Sequence, residues 1–375
     1  MKTRKTKLTF ILFIALSQIV WGQGSLTPSG GPAASMKSLG EIDQSISNVL
    51  ISVKRAEPRT PLIAGESGVS IDAYGTISIN SSGSYYLTEN LTVSSGNGIT
   101  INSDGVTLDL NGFTIRSTST STSGSGIYIN GTSISIFNGH IKSGTYYNSS
   151  ASGDQYTGTG FSHGIYASAY TKDKIRIKDM TVSGCDLHGI YLSAGASCIV
   201  ESCVVRTVGG TGIYAGTVKN CSSTTCGGYG ISGITISNCK GESNGDSGIY
   251  AQGVVLNSCG TTFSTSLSHN GIYAYYSVKN CHGFSTGGYA INADCVENSY
   301  GYSASSETTS TGIYCYTAQN SYGYSRNGTG IDSTIASYSI GYGGSSSSVY
   351  GIQSITAVAC QSHNGENITH KYNMP

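Results

Sequence analysis

Gly271-Ile272-Tyr273-Ala274, then Val278-Lys279-Asn280-Cys281 and Gly283-Phe284-Ser285, make up one unit of the repeat that decides the fold of this chain. From Ile165 onward the isoleucine of this unit recurs at intervals of 18 to 25 residues. Self-similarity at such a period is typical of a solenoid in which each repeat forms one turn. Other copies of Gly-Ile-Tyr begin at Gly126, Gly164, Gly189, Gly212, Gly248 and Gly312.

Each unit reads as three short strands separated by Gly, Ser and Asn. Isoleucine and the small third residue share one face of the first strand, so we expect them inside the coil and the tyrosine outside. Asparagine tolerates left-handed backbone, and an Asn ladder is expected at the bend after the second strand. This bend asparagine recurs at Asn220, Asn238, Asn280, Asn298 and Asn320.

Three strands and three bends per unit predict an all-β fold, a single-stranded right-handed parallel β-helix of about twelve coils counted from Ile99. The irregular repeat length disfavours the left-handed form, which is built from strict hexapeptides. The expected organisation is a signal peptide (1–22), a Pro-containing lead-in with a short helix at Met36–Ser52 (23–62), a strand-rich N-terminal cap (63–95), the β-helix (96–365) and a tail (366–375).

The first 22 residues have the pattern of an export signal, with a basic start, an apolar run at Leu8–Val20 and a cleavage point after Gly22. The apolar run is too short for a membrane span, so we expect a secreted, periplasmic or cell-surface protein. The signal carries four of the 20 basic residues, which leaves 16 basic against 20 acidic residues, a charge of −4. No basic stripe is present, which argues against binding of nucleic acid.

Eleven cysteines occur, and Cys203, Cys221, Cys239, Cys259 and Cys281 follow the repeat. Stacked Cβ atoms in parallel strands about 4.8 Å apart are farther from each other than the ~3.8 Å that a disulfide prefers. We therefore expect buried free thiols, with Cys221/Cys226 and Cys198/Cys203 as the best candidates for bridges.

Val106–Ile115 and the Gly-Ile-Tyr coils resemble the right-handed parallel β-helix repeats of the pectate-lyase-like superfamily. The lead-in and the tail at Ile368–Pro375 are similar to exported bacterial β-helix proteins. The resemblance implies the fold and a polysaccharide or the cell envelope as partner. It leaves the activity open, because the superfamily includes lyases, hydrolases, epimerases, adhesins and phage tailspikes.

Arg176-Ile177-Lys178 matches one motif of the polygalacturonases in that superfamily, and Ser162-His163-Gly164 matches another in part. The sequence has no Asp-Asp pair, so the acid and base of such a hydrolase have no counterparts. The Arg-Ile-Lys match is better explained by an ordinary strand, with Ile177 inward and the two basic residues outward. Calcium-dependent lyases need clustered acids, but Asp332 is the single acid of the outward column, so no cofactor is predicted and calcium is not signalled.

The longest insertion, Thr145–Phe161, leads into His163. His188 has the same repeat position one coil later, so the two imidazoles should be stacked neighbours. Together with Asp186, Arg176 and Lys178 they are the candidate catalytic residues of a polysaccharide lyase or glycoside hydrolase. The alternative is a polar bend column, because later copies of the position hold Thr211, Ser247, Asn270 and Thr311.

The outward tyrosines are the other candidate site, because amphipathic rings suit contact with sugars. The sequence thus favours a β-helix that contacts extracellular polysaccharide through this face, with an enzyme or a passive scaffold or adhesin as alternatives and the oligomeric state open. The predicted substrate-binding residues are Tyr128, Tyr166, Tyr191, Tyr214, Tyr250, Tyr273 and Tyr314.

Overall fold

The computed structural model describes residues 38–56, 59–150, 153–167, 173–192, 197–345 and 349–374. The chain divides into two units, at residues 1–58 and 59–375. The expected signal peptide lies outside the described residues.

The described part of the first unit forms the helix α1 (Leu39–Ala56), close to the expected range of 36–52. Ser38 starts it as a capping box: the Glu41 N–H donates to Ser38 Oγ (3.2 Å) and the Ser38 N–H donates to the Glu41 carboxylate (2.7 Å). The helix ends two residues before Pro58, as expected from the exclusion of helical backbone just before a proline.

The described residues of the second unit form 35 strands, numbered in chain order. The N-terminal strands are β1 (Thr60–Pro61), β2 (Val69–Ile71), β3 (Ile77–Ile79), β4 (Gly83–Tyr86), β5 (Leu91–Val93), β6 (Ile99–Ile101), β7 (Val106–Asp109), β8 (Thr114–Ser117), β9 (Ser125–Ile129), β10 (Ser135–Lys142), β11 (Tyr146–Ser150), β12 (Gly153–Thr157), β13 (His163–Tyr166), β14 (Arg176–Cys185) and β15 (His188–Tyr191). The central strands are β16 (Ile199–Glu201), β17 (Val204–Val208), β18 (Ile213–Lys219), β19 (Ser222–Cys226), β20 (Ile231–Ser237), β21 (Lys240–Ser243), β22 (Ile249–Leu256), β23 (Cys259–Thr262), β24 (Ile272–Ala274), β25 (Ser277–Lys279) and β26 (His282–Ser285). The C-terminal strands are β27 (Ile291–Glu297), β28 (Tyr300–Ser303), β29 (Thr311–Gln319), β30 (Tyr322–Ser325), β31 (Thr329–Ser337), β32 (Ile340–Tyr342), β33 (Ile352–Val358), β34 (Gln361–His363) and β35 (Glu366–Tyr372).

The strands stack in parallel from coil to coil, which confirms the single-stranded parallel β-helix, with about 13 turns. The first sheet carries the repeat isoleucine, and every copy is buried. In successive register this column is Ile77, Ile99, Ile127, Ile165, Ile190, Ile213, Ile231, Ile249, Ile272, Ile291, Ile313, Ile331 and Ile352.

Parallel stacking begins one turn earlier than the expected start at residue 96. Ile77 pairs with Ile99, and Thr60 of β1 already pairs with Tyr85 of β4. β2 then runs antiparallel to β3, with Val69 opposite Ile79. This hairpin covers the hydrogen-bonding edge of the first coil, which would otherwise be open to pairing with another chain.

The core becomes narrower towards the C-terminus. The inward residue of the second sheet changes from Ile136, Ile177 and Val200 to Ala318, Ala336 and Ala357. The inward residue of the third sheet changes from isoleucine and valine to glycine. In register the third-sheet column is Ile115, Ile141, Val182, Val205, Ser223, Gly241, Gly260, Gly283, Gly301, Gly323 and Gly341.

Glycine is required there because the third sheet touches the first. A Cβ on Gly301 would lie 2.2 Å from the carbonyl oxygen of Gly312, just before the repeat isoleucine Ile313. The Gly-aromatic-Ser strand and the Gly-Ile-Tyr strand are therefore the two sides of one close backbone contact.

The small residue after each bend asparagine bonds the bend backbone. Ser299 Oγ donates to the carbonyl of Glu297 (2.8 Å) and accepts the N–H of Cys281 from the preceding coil (3.1 Å). Cys221 makes the same two contacts, donating to the Lys219 carbonyl (3.1 Å) and accepting the N–H of Cys203 (3.4 Å). A cysteine or serine at this position is thus a hydrogen-bonding group of the coil.

All eleven cysteines lie in the described residues, and all are free thiols. The expectation of unpaired thiols is confirmed, and the candidate bridges Cys221/Cys226 and Cys198/Cys203 were wrong. Nine of the eleven are buried, while Cys259 is half-buried and Cys295 is exposed.

Candidate functional site

The outward tyrosines form one column in consecutive register, as the alternation within each Gly-Ile-Tyr strand predicts. Neighbouring rings contact one another. The centroids are 6.1 Å apart for Tyr128–Tyr166, 5.8 Å for Tyr166–Tyr191 and 4.8 Å for Tyr191–Tyr214, with ring planes tilted by 36–39°, whereas Tyr250 and Tyr273 are stacked at 5.2 Å (7°). Because neighbouring rings contact one another, a ligand would meet mainly ring edges and hydroxyl groups along most of this column.

The column is interrupted by Ser232 and by Asn292. The sequence analysis did not predict that another tyrosine contacts the column at each interruption. The Tyr229 ring contacts the Tyr250 ring at a tilt of 32° (4.9 Å), and the Tyr289 ring stacks on the Tyr314 ring (5.0 Å). Each of these tyrosines stands three residues before the interrupting residue, and this spacing was readable in the sequence.

At Asn292 the face opens into a slot of about 250 Å³, here called the tyrosine slot. Asn292 and Asp294 lie on the middle coil. Tyr273 and Tyr275 belong to the coil before, and Tyr314 and Tyr316 to the coil after. Because coils are about 4.8 Å apart, the two aromatic walls are separated by roughly 10 Å, with polar groups between them. The complete lining is Tyr273, Ala274, Tyr275, Asn292, Ala293, Asp294, Tyr314, Cys315, Tyr316 and Thr334.

The walls of the slot combine fixed and exposed rings. Tyr275 is perpendicular to Tyr273 (87°, centroids 5.4 Å apart), and the Tyr250 hydroxyl donates to its hydroxyl (3.3 Å). Tyr275 is 48% exposed and Tyr316 is 61% exposed. Next to the slot, burial raises the pKa of the Asp332 carboxyl group above its ordinary value. The tyrosine slot thus offers the fixed ring of Tyr275 and the exposed ring of Tyr316 beside amide and carboxylate groups.

His163 and His188 are neighbours in adjacent coils, as predicted, with ring centroids 5.4 Å apart, but the two rings are tilted by 43° and not stacked face to face. Each ring instead stacks on the tyrosine three residues later. Burial, with a smaller effect of His188, lowers the pKa of His163 to about 4. Burial also lowers the pKa of His188, whose Nδ1 is 2.9 Å from the donating N–H of Thr211 and is thereby held unprotonated. Both rings are neutral near pH 7, and a base with a pKa of about 4 accepts protons weakly.

The other candidate catalytic residues make contacts elsewhere. Arg176 forms an ion pair with Glu201 (2.6 Å) on the second sheet, and Glu201 also pairs with Lys219 (3.2 Å). Lys178 lies 3.5 Å from the Asp179 carboxylate. Asp186 is in the bend that precedes His188. Ile177 is buried between the two basic residues, as the ordinary-strand interpretation of Arg-Ile-Lys predicts.

The insertion at Thr145–Phe161 forms an antiparallel hairpin of β11 and β12, with Tyr147 opposite Tyr156. The Tyr156 hydroxyl accepts a hydrogen bond from the Asn244 side-chain amide (3.2 Å), 88 residues later in the chain. A Cβ on Gly227 would lie 3.0 Å from the Tyr156 ring, so the ring lies against a bend that has no side chain there. The hairpin therefore packs along several coils.

A long groove follows the bend between the second and third sheets, and it is here called the asparagine groove. Its volume is about 1210 Å³. One wall consists of the bend asparagines, and the floor consists of the cysteines and serines that follow them. The opposite wall consists of the next outward residues, Val204, Ser222, Lys240, Cys259, His282, Tyr300 and Tyr322.

The asparagine wall is a hydrogen-bonded ladder in left-handed backbone. Asn238, Asn257 and Asn280 have φ angles of 53°, 49° and 55°. Their amide groups donate to the asparagine one coil earlier at 3.2, 3.2 and 3.0 Å. The predicted ladder is present from Asn220 to Asn280, whereas the Asn298 side-chain amide donates to the Glu297 carboxylate (3.3 Å). The sequence did not indicate that a groove lies beside the ladder.

A cluster of Ser264, His269 and Asp246 was also not foreseen. Ser264 Oγ is 2.7 Å from His269 Nδ1, and His269 Nε2 is 3.9 Å from the Asp246 carboxylate. The Ser266 N–H also donates to Ser264 Oγ (3.3 Å). At 3.9 Å the carboxylate does not hydrogen-bond the ring, and the contacts fix the loop between β23 and β24.

In the part of the chain that the structure describes, no three His, Cys, Asp or Glu side chains converge in a way that could hold a metal ion. Among the same residues, no helix is long and apolar enough to cross a membrane.

No protein-family model and no curated protein matches the chain. Among solved structures, it is similar to the enzymatically active domain of tailspike protein 2 of bacteriophage CBA120, at 14% identity and a TM-score of 0.31. It is also similar to the full-length tailspike protein 2 of an Escherichia coli O157:H7 bacteriophage, at 11% identity and a TM-score of 0.26. Each match covers 83% of this chain and 43% and 46% of the respective tailspike chain, so this chain spans less than half of either. The fold assignment rests on the strand pairing within the chain itself.

Proposed function

We propose that this protein binds extracellular polysaccharide and that the tyrosine slot holds one sugar residue of the chain. The observation that carries the proposal is the slot of about 250 Å³ where polar Asn292 and Asp294 interrupt a column of tyrosines. Export by the N-terminal segment and kinship with the pectate-lyase-like superfamily, supported by Val106–Ile115 and the Gly-Ile-Tyr coils, belong to the same proposal.

The chemistry of the slot suits a pyranose ring. A sugar has apolar C–H faces and a rim of hydroxyl groups, and it needs aromatic surface and hydrogen-bonding groups in the same place. Tyr275 and Tyr316 provide the aromatic surface, and the Asn292 amide and Asp294 carboxylate accept hydrogen bonds from hydroxyl groups. Because Tyr275 is held by Tyr250 and Tyr273, little side-chain freedom is lost on binding.

The test is binding of soluble glycans to three single variants. Tyr275→Ala and Tyr316→Ala should each weaken binding about tenfold, the equivalent of about 1.4 kcal/mol. Tyr276→Ala is the matched control, because Tyr276 (64% exposed) is about as exposed as Tyr316 and follows Tyr275 in the sequence, but does not line the slot. Thermal unfolding of all variants verifies the fold.

If Tyr275→Ala and Tyr316→Ala bound glycans with the affinity of the parent, the slot would not be the sugar-binding site. A protein that binds no glycan of a broad panel would instead support the passive scaffold. New reducing or unsaturated ends, lost on His163→Ala with binding retained, would favour the enzyme beside the Thr145–Phe161 hairpin.

A further inference from the structure

We infer that the asparagine groove is a second binding site, which takes an extended, uncharged stretch of the same polysaccharide. The inference rests on the proposed function for the class of ligand, but it concerns a different surface. The slot lies on the outer face of the first sheet, whereas the groove lies at the bend between the second and third sheets.

The groove has the form expected for a linear polymer. It runs without interruption from Ser202 to Tyr322 and passes seven successive bend residues. These are Ser202, Asn220, Asn238, Asn257, Asn280, Asn298 and Asn320. A compact ligand would occupy only a part of such a groove, whereas an extended chain parallel to the coil axis would meet the same chemistry at each coil.

The asparagine wall offers a periodic set of donors and acceptors. An asparagine side chain has two N–H donors and two lone pairs on oxygen, and each ladder bond uses one of either kind. Donors and acceptors therefore remain for a ligand at Asn238, Asn257 and Asn280, repeated about every 4.8 Å. A linear glycan presents hydroxyl groups with a repeat of similar length.

The charges of the groove favour a ligand without net charge. Lys240 is the one lysine of the lining, and its ammonium group lies 3.3 Å from the Glu242 carboxylate. Beside the asparagine wall, Lys279 pairs with Glu297 (2.9 Å). Burial lowers the pKa of His282, so this ring is neutral near pH 7. A polyanion or a polycation would need an excess of one charge, which these pairs do not provide.

The same surface does not suit a peptide strand or an acyl chain. The backbone groups of β21, β23, β26 and β28 are bonded to the coils above and below, so the groove has no open strand edge for an added peptide. Val204 is the one aliphatic residue of the lining. The rings of His282, Tyr300 and Tyr322 stack at 4.9 and 5.0 Å and provide apolar surface at one end, as a sugar chain with C–H faces requires.

The test uses the double variant Asn257→Gly/Asn280→Gly. Glycine keeps the left-handed backbone of both bends and removes only the amide groups. Asn111→Gly is the matched control, because Asn111 has a φ of 53° and does not line the groove. The probes are linear oligosaccharides of two to eight units from neutral glucan, mannan, xylan and chitin, and oligogalacturonates of the same lengths as anionic counterparts. Binding is measured by calorimetry, and thermal unfolding verifies the fold.

For a neutral series, we expect the affinity of the parent to increase with chain length. The double variant should lose about tenfold or more in affinity for the longest members, because several hydrogen bonds are removed, and should bind the shortest members like the parent. Tyr316→Ala should weaken binding of the shortest members, which bind at the slot, and should keep the gain in affinity with chain length, so failure of the slot and failure of the groove give different patterns.

If the double variant bound long chains with the affinity of the parent, the groove would not be a binding site, and the proposal for the slot would be unaffected. Preference for oligogalacturonates would overturn the uncharged ligand. Binding of an extended peptide library that the double variant loses would assign the groove to another class of partner. No binding of any glycan by the parent would overturn the groove and the proposed function together.

Discussion

The protonation of the histidine pair, His163 and His188, depends on the groups packed around the two rings. His163 is half-buried between His188 and Tyr166, where protonation would place a charge beside a second imidazole with little water around it. The neighbouring rings of His188 and Tyr166 therefore favour the neutral form of the His163 ring.

This environment predicts a loss of stability in acid. Burial lowers the pKa of His163 to about 4, while the unfolded chain titrates near 6.5. The unfolded state thus binds the proton first, so the contribution is complete above pH 6.5 and is lost as the pH falls from about 6.5 to 4. His163→Phe keeps a stacked ring without titration, and its free energy of unfolding should fall less than that of the parent between pH 7.5 and 5, by on the order of 1–2 kcal/mol. Equal losses measured by denaturant unfolding would contradict the assignment.

The cysteines predict a single rapidly reacting thiol. Burial raises the pKa of Cys226 to about 12 and that of Cys281 to about 11, so neither forms thiolate near neutral pH. Cys295 is exposed, and Cys259 is intermediate. Native protein should therefore take up thiol label first at Cys295, whereas denatured protein should take it up at all eleven cysteines, as counted by mass spectrometry. Cys295→Ser should remove the fast phase, and a denatured count below eleven would indicate disulfides.

At the scale of one coil, the contact between the third and first sheets predicts a sharp steric effect. A Cβ at Gly301 would lie 2.2 Å from the Gly312 carbonyl oxygen, and backbone on both sides is held by parallel pairing. Gly301→Ala should therefore cost about 3 kcal/mol of folding free energy.

The neighbouring Tyr302 provides the control for this substitution. Its ring points outward and stacks on Tyr324 (4.9 Å), so Tyr302→Ala should cost only about 1 kcal/mol. Chemical denaturation measures both variants. If Gly301→Ala were as stable as the parent, the close approach of the two sheets would be wrong.

The strands of a coil were predictable because their signal is local. The alternation of Ile272, Tyr273 and Ala274 fixes which side chains are inside, and the recurrence of Asn280 and Cys281 fixes the bend. Each is repeated in successive coils, so one register explains many positions. The first coil was missed because its bends follow a different pattern and Ile77 is not part of a Gly-Ile-Tyr phrase.

The sites were less predictable because they depend on relations between coils. The tyrosine slot requires Asn292 to stand between Tyr275 and Tyr316, which are 41 residues apart in the chain. The asparagine groove requires a bend geometry that composition does not specify. Sequence reasoning found the aromatic column and the ladder, but the concavity beside each follows only from the packing of coils.

At the scale of the whole solenoid, stability is approximately a sum over contacts between neighbouring coils. A terminal coil lacks one neighbour, so its open edge has to be covered by other residues. Each inner coil has its backbone groups bonded on both sides. At the N-terminal end, β1 stacks on β4 and β2 pairs antiparallel with β3. Arg59 adds an ion pair with Asp109 (2.5 Å) and lies over the ring of Tyr86 (4.8 Å). Residues 59–71 therefore have the role of a cap.

Removal of this cap gives the last prediction. A chain that begins at residue 76 lacks β1 and β2, so the unpaired edge of Ile77–Ile79 is open to pairing with the same edge of another molecule. It should self-associate and unfold at a lower temperature than a chain that begins at Arg59, which keeps the cap and omits only the first unit. Light scattering after size-exclusion chromatography and thermal unfolding distinguish the two chains. If both had the molar mass and midpoint of the parent, the hairpin would be dispensable, and the edge of the first coil would have to be protected by its own strong twist or short length.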